Sequence, residues 1–407
     1  MTKTIALLGA LDTKGAEYAF TKQCIEARGH RVLMVDVGVL SAPEVPADVS
    51  SEEVARAGGV ELATLRSRAD RGEAVAAMSR GAAALMPDLF ARGRFDAVMA
   101  LGGGGGTSVA CAAMRALPPG VPKVMVSTVA GSDVSGYVGV ADITMVPSIV
   151  DVAGVNRVSR EVFARAAGAV CGMVETEVPP GDDKPLLAAS MFGNTTRCVE
   201  AARAVLEAAG FEVLVFHATG TGGRTMEQLI GAGRIAGVLD VTTTEWADEL
   251  VGGVFAAGPD RLRAAARGGV PAVVAPGCLD MVNFWAPDTV PPRFQGRRFY
   301  PHNPNITLMR TDVDECAALG RALAERLNES TGPLTVLLPR KGFSMIDAPG
   351  GPFWWPEANE ALFTSLRENL RRDIPREELD CNINDEAFAR RAAECLLDHI
   401  RTKRPGP

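Results

Sequence analysis

Short apolar runs alternate with helix-length segments along the whole chain, and this alternation leaves few folds open. Strands of that kind, separated by helices, are joined by crossover connections, which build a largely parallel sheet covered on its faces. In the first half the runs are 4–8, 31–35, 95–100, 123–127 and 143–146, with helices expected at 15–28, 107–117 and 151–169. Residues 175–185 then turn polar and proline-rich, and a second series follows at 186–190, 212–216, 237–240, 272–275, 306–309 and 334–338. The expectation is an α/β protein of two Rossmann-like, doubly wound parallel-sheet domains, 1–180 and 186–407. With 407 residues, 47% of them hydrophobic, the chain can fill two such cores. Within the second, Asp312 and Glu315 have capping-box spacing ahead of a stripe of Cys316, Leu319, Leu323 and Leu327, which marks a packed helix. A short strand at 377–381 and a helix at 385–401 end the fold, that helix being a candidate to pack back on the first domain, and 404–407 read as a frayed end.

The net charge of −7 argues against nucleic acid and anionic membrane surfaces as partners, since either calls for a dominant basic face. The first strand begins almost at the N-terminus, with no secretory signal and no long apolar span, so a cytoplasmic location is expected. Eight scattered cysteines without a C-x-x-C pair read as reduced thiols; Cys278, in a loop, is the one to watch.

Five consecutive glycines, Gly102, Gly103, Gly104, Gly105 and Gly106, stand between a strand and the helix opened by Thr107 and Ser108. A loop without Cβ atoms can take positive φ and bring peptide N–H groups up to a ligand, while the helix start behind it favours an anion. A tight turn under a close helix–sheet contact is the competing reading. No lysine stands at Gly106 or Thr107, so this is not a P-loop. The loop Asp12, Thr13, Lys14, Gly15 follows the first strand, where Thr13 and Lys14 can meet a phosphate or Asp12 can cap the helix. Asp36 ends the second strand, where Rossmann proteins hold a ribose hydroxyl. Ser127 and Thr128 complete the same rim.

The second half opens three strands into hydroxyl, amide and glycine loops: Gly193, Asn194, Thr195, Thr196; then His217 with Gly220, Thr221, Gly222, Gly223; then Thr243, Thr244, Glu245. Convergence on one polar ligand is expected there, joined by Asp280, Asn283 and Ser344. Glu245 is a candidate general base or a first-turn acid favoured by the helix dipole; His217 is a candidate acid/base or a buried, hydrogen-bonded histidine. Residues 291–300 form a proline- and arginine-rich excursion, read as a lid or an oligomer arm, and His302 lies where it returns. Lys341 is placed to hold an anion. Asp280, His302 and Glu245 are the one metal trio that can be assembled; they lack ligand spacing, and a metal-free site is expected.

In order, Leu11-Asp12-Thr13-Lys14-Gly15, the glycine run, Phe192-Gly193-Asn194-Thr195-Thr196, Gly220-Thr221-Gly222-Gly223, Asp240-Val241-Thr242-Thr243-Thr244-Glu245, Asp280-Met281-Val282-Asn283-Phe284, His302-Asn303-Pro304 and Lys341-Gly342-Phe343-Ser344 resemble a bacterial and fungal family. Its best-known relative is the N-terminal ATP-binding domain of the plant tobamovirus-resistance protein. The resemblance covers nearly the whole chain and implies two Rossmann-like subdomains, ATP as ligand with or without magnesium, and self-association as a homodimer or higher homo-oligomer. The family's glycine loop usually carries a serine, which residues 102–106 lack. Three functions follow as expectations. The first is a nucleotide-binding protein. The second is a hydrolase or carbon–carbon lyase for a small carboxylated or phosphorylated metabolite, in which Lys341 holds the anion and Glu245 or His217, near His302, moves a proton. The third is a non-catalytic regulatory oligomer that responds to nucleotide.

Overall fold

A computed structural model describes residues 2–403; the end expected to fray, 404–407, lies outside the described residues. The chain divides into two compact units at Pro180/Gly181.

Unit 1 runs β1 (Thr4–Gly9), α1 (Gly15–Glu26), β2 (Arg31–Asp36), α2 (Ser51–Ala57), α3 (Leu62–Arg68), α4 (Arg71–Ala91), β3 (Ala97–Gly102), α5 (Gly104–Ala116), β4 (Lys123–Ser127), α6 (Ser135–Val138), β5 (Thr144–Pro147) and α7 (Arg157–Glu175). Its sheet is parallel throughout, in the order β2-β1-β3-β4-β5. Side chains alternate across β1: Ile5 and Leu7 join Phe163 and Val170 of α7 on one face, and Ala6 and Leu8 join Met78 and Met86 of α4 on the other. Burial on both faces is why these strands are apolar without a break. The helices α2 to α4 add to the expected set. Their signals are local: Ser50 and Glu53 form a reciprocal capping box, and the Asp70 carboxylate accepts the Glu73 N–H at 2.8 Å.

The glycine run departs from expectation. Helix α5 starts at Gly104, so three of the five glycines form its first turn, and none of the five has positive φ. What they supply is space. A Cβ on Gly102 would lie 3.2 Å from the Gly106 Cα, the close strand–helix contact that was the competing reading.

Unit 2 runs β6 (Leu186–Met191), α8 (Thr196–Ala208), β7 (Glu212–His217), α9 (Thr221–Gly231), β8 (Gly237–Thr242), α10 (Glu245–Val251), α11 (Arg263–Arg267), β9 (Ala272–Gly277), β10 (Met281–Phe284), β11 (Phe299–Asn303), β12 (Ile306–Arg310), α12 (Val313–Leu327), β13 (Leu334–Pro339), α13 (Pro356–Asn369), β14 (Arg376–Leu379) and α14 (Glu386–Lys403). Six strands form a parallel sheet in the order β14-β13-β9-β8-β6-β7. The run expected at 306–309 is not part of it. That run is β12, the centre of an antiparallel sheet ordered β10-β12-β11. Only Pro304 and Asn305 separate Asn303 from its partner Ile306, and a two-residue loop can join only antiparallel strands.

Helix α12 carries the capping box of Asp312 and Glu315, with Cys316, Leu319, Leu323 and Leu327 in the main core. On the opposite face Phe388, Leu396 and Ile400 of α14 pack with Val199 and Leu206 of α8, so the last helix belongs to unit 2's own core. The excursion before β11 is pinned as well, with Phe294 in the main core and Arg297 bonded to both Glu315 oxygens at 2.9 and 2.6 Å. Among the described residues no helix is long and apolar enough to cross a membrane.

Candidate functional site

In unit 1 the strand order reverses at β1/β3, and crossovers leaving in opposite directions open a crevice beyond the strands' carboxyl ends. Tyr18 seals its base. The hydroxyl lies 2.7 Å from the Leu8 carbonyl and accepts the Leu101 N–H at 2.8 Å, tying the two strand ends together. Gly9 makes room for that ring, since a Cβ there would come within 1.9 Å of it. Above lies a cleft of about 610 Å³, lined by the loops after β1, β2 and β3 and by α3 and α4. That volume suits a small molecule, for which sites span roughly 300–1,000 Å³.

Part of the lining is apolar, with Val37, Val39, Leu65, Met78 and Val109. The rest is polar, with Asp12, Thr13, Lys14, Gly103, Gly105, Gly106 and Arg71 among it. Because α5 begins at Gly104, the N–H groups of Gly104, Gly105 and Gly106 have no partner within the helix. The Arg71 guanidinium stands near Gly105 and makes no hydrogen bond or ion pair among the described residues. Lys14 and Arg66 also line the cleft; Lys14 donates to the Val152 carbonyl, and Arg66 to those of Val39 and Ser41.

The Asp12 carboxylate accepts the Leu40 N–H at 2.8 Å and the Ser41 N–H at 3.3 Å through Oδ2, while its buried Oδ1 has no partner. It braces the loop after β2 rather than capping α1. Asp36 does not line the cleft. Its Oδ1 accepts the Leu11 and Gly38 N–H groups at 3.0 and 2.8 Å, and burial pushes its carboxyl up. Gly15 is buried against Glu44. The hydroxyls of Thr107 and Ser127 lie 2.7 Å apart, and Ser108 donates to the Gly104 carbonyl, so these groups order the loop; Thr128 is exposed.

The carboxyl edge of unit 2 is built differently. Glu245 is 1% exposed; its Oε1 accepts the Gly220 and Gly223 N–H groups at 2.7 and 3.0 Å, and its Oε2 accepts Arg261 Nε at 2.6 Å. In place of a base open to substrate, the structure has a brace between the glycine loop and a buried guanidinium. Arg261 also bonds Asp240 through Nη2 at 2.7 Å and Glu227 through Nη1 at 3.2 Å. Gly223 permits this approach, since a Cβ there would lie 2.1 Å from Glu245 Oε2. Gly223→Ala is therefore expected to cost about 1–3 kcal/mol by overpacking, read as a lower urea midpoint for unit 2.

The neighbouring hydroxyls are engaged in the same way. Thr195 Oγ1 lies 2.8 Å from Thr242 Oγ1, Thr196 donates to Gly193 O, and Thr243 donates to Ala275 O. Asn194 accepts the Met345 N–H on its carbonyl, and the Asn283 amide lies against Asp248 and Thr244. Asp280, fully buried, accepts the Ser344 hydroxyl at 2.8 Å. Beside it Arg310 donates to Phe353 O, Asn359 Oδ1 and Asp347 Oδ1. Burial pushes the Asp280 carboxyl up to about 6, and burial together with the Asp280 charge pushes Asp347 up to about 8.

Residues 3–179 match the N-terminal domain of the uncharacterised protein family UPF0261, and residues 184–400 match its C-terminal domain. The chain belongs to the UPF0261 family. A UPF0261 protein of Clostridium tetani is 47% identical over 98% of this chain and 99% of its own length, and one of Rhizobium meliloti is 48% identical over 97% and 99%. The tomato (Solanum lycopersicum) ToMV resistance protein Tm-1 is 41% identical over 81% of this chain, which covers 45% of the tomato protein.

This UPF0261 chain thus brings Asp12, Thr13, Lys14 and the glycine run to one cleft, but does not gather the second-half candidates into one. His217 is exposed at the end of β7 against Phe192, His302 is exposed on β11, and Thr221 is exposed at the start of α9. Lys341 is exposed and paired with Asp380 at 2.9 Å. Among the described residues no three His, Cys, Asp or Glu side chains are grouped to hold a metal, so Glu245, His302 and Asp280 form no such trio. The functional reading of the sequence missed Arg71, which sits one residue after the helix cap Asp70. It also missed Arg261 and Arg310, whose acidic partners are distant in sequence.

Proposed function

We propose that unit 1 of this UPF0261 protein binds a nucleoside triphosphate, ATP by the resemblance drawn above, with its phosphates on the first turn of α5 and its base against the apolar part of the lining. The observation that carries this reading is the unpaired Arg71 guanidinium beside the bare peptide of Gly104 to Gly106 in a cleft at the reversal of strand order. N–H groups at a helix start and a planar cation are a matched pair for phosphate oxygens. The site senses or holds nucleotide in the cytoplasm, and self-association accompanies it; sedimentation at several concentrations with and without ATP tests that part. The pairing of Arg261 with Asp240 and Glu245 supports a framework role for that edge of unit 2.

Calorimetry with the full chain decides the main point. ATP is expected to bind, and Arg71→Gln to weaken it about ten-fold or more, the effect of one charge-assisted hydrogen bond. No binding at millimolar nucleotide by folded protein rejects the reading.

A further inference from the structure

The cleft carries six charged side chains, three cations (Lys14, Arg66, Arg71) and three carboxylates (Asp12, Asp70, Asp151), so it offers no net positive charge to a polyphosphate. Something else must offset the ligand's charge. Of the three carboxylates, Asp12 is 6% exposed, and its Oδ1 is buried without a hydrogen-bond partner although the residue lines the cleft. An oxygen of that kind costs free energy unless a proton or cation meets it. The other oxygen is fixed by the Leu40 and Ser41 N–H groups, so the carboxylate cannot turn away. Gly38 makes room for this carboxylate, since a Cβ there would lie 2.4 Å from Asp12 Oδ1. Behind it, Asp36 Oδ1 holds the Leu11 N–H, which sets the backbone that presents Asp12.

We propose that Asp12 holds a divalent cation between the loop after β1 and the phosphates of the bound nucleotide. The proposal rests on the nucleotide reading of the same cleft and adds the metal to it. One carboxylate oxygen with phosphate oxygens and water is the ligand set magnesium takes in nucleotide sites, where it keeps several waters and needs few protein donors. Asp12 is a ligand here, and Arg71 meets the phosphates from the opposite side.

The test uses the full chain, Mn²⁺ as a paramagnetic probe, and ATP titrated in EDTA or in excess Mg²⁺. Asp12→Asn keeps an oxygen for Leu40 and Ser41 and removes only the charge, so its ATP affinity in EDTA reports that the cleft is intact. The expected result is that wild-type protein binds ATP at least ten-fold tighter with Mg²⁺ than in EDTA and takes up one Mn²⁺ per chain with ATP. Asp12→Asn then binds ATP in EDTA no more weakly than wild type, a repelling charge having gone, but loses at least ten-fold in the presence of metal, and Asp151→Asn loses less. Equal ATP affinity with and without metal, or Mn²⁺ uptake by Asp12→Asn equal to wild type, overturns the proposal. Absence of ATP binding in both arms defeats the nucleotide reading instead. Mn²⁺ titrated alone then decides the cation: a bound signal absent from Asp12→Asn upholds it, and no difference removes it.

Discussion

Arg261→Met destabilises unit 2 by about 3–5 kcal/mol, the cost of stranding buried carboxylates without their counter-charge. Arg261 is 1% exposed and is the shared partner of Asp240, Glu245 and Glu227. Without it, Glu245 keeps two N–H donors, but Asp240 keeps only the Ser190 hydroxyl at 2.7 Å. The measurement is urea unfolding with amide exchange resolved over β8 and α10. A second variant separates stranded charge from lost packing: Arg261→Met combined with Asp240→Asn and Glu245→Gln recovers a large part of the loss, because it removes charges rather than leaving them buried. If the single variant unfolds at the wild-type midpoint, the brace has no energetic role. If the triple variant recovers nothing, packing is the cause.

Between pH 5 and 8 unit 2 loses stability on the order of a few kcal/mol, and Asp280→Asn makes that slope shallower. The cause is the burial of two neighbouring carboxyls beside one guanidinium, only Asp347 being bonded to it. Asp280, Asp347 and Arg310 have fully buried side chains or nearly so, and burial raises both acids, Asp280 to about 6 and Asp347 to about 8. Raised carboxyls bind protons in the folded state that the unfolded chain has already released. The stabilisation is therefore complete below about pH 4, the ordinary carboxylate range, and is lost as pH rises towards 8. The two acids titrate as a pair, so the slope belongs to both. Asn at 280 keeps an oxygen for Ser344 and leaves Asp347 with Arg310 as a neutral pair. A Cm that is flat from pH 5 to 8 in the wild type, or a slope unchanged in the variant, contradicts this account.

Much of the fold was legible because its signals are local. The run 4–8 and the capping box at Asp312 each depend on neighbours within a few residues, and each has the expected counterpart. The run 306–309 reads as a strand but not as an antiparallel one. Strand propensity is local, whereas pairing partners are set by the two-residue turn and by β10, which the periodicity did not reveal. In the first half the loops that line the cleft were visible as loops at strand ends. What the glycines do there was not, since the clearance that Gly9 gives Tyr18 and Gly102 gives the start of α5 is set by how helix packs on strand.

For the candidate site the division is sharper. Glu245 reads equally as a base or a first-turn acid because either places a carboxylate at a helix start. Only the arrival of Arg261 from another loop decides it. His302 and Lys341 look like site residues by position, yet one is exposed on an antiparallel strand and the other pairs with Asp380.

Taken by itself, the sequence determined that there are two doubly wound halves and which strand ends carry polar loops, because side-chain alternation, capping and glycine content act over a few residues. The tertiary structure alone decided which of those loops stays open and which closes on itself. At the second-half glycine loop the choice was made by a cation from a distant loop, Arg261, which reaches Asp240 and Glu245; at the first-half loop Asp12 Oδ1 is left without a partner.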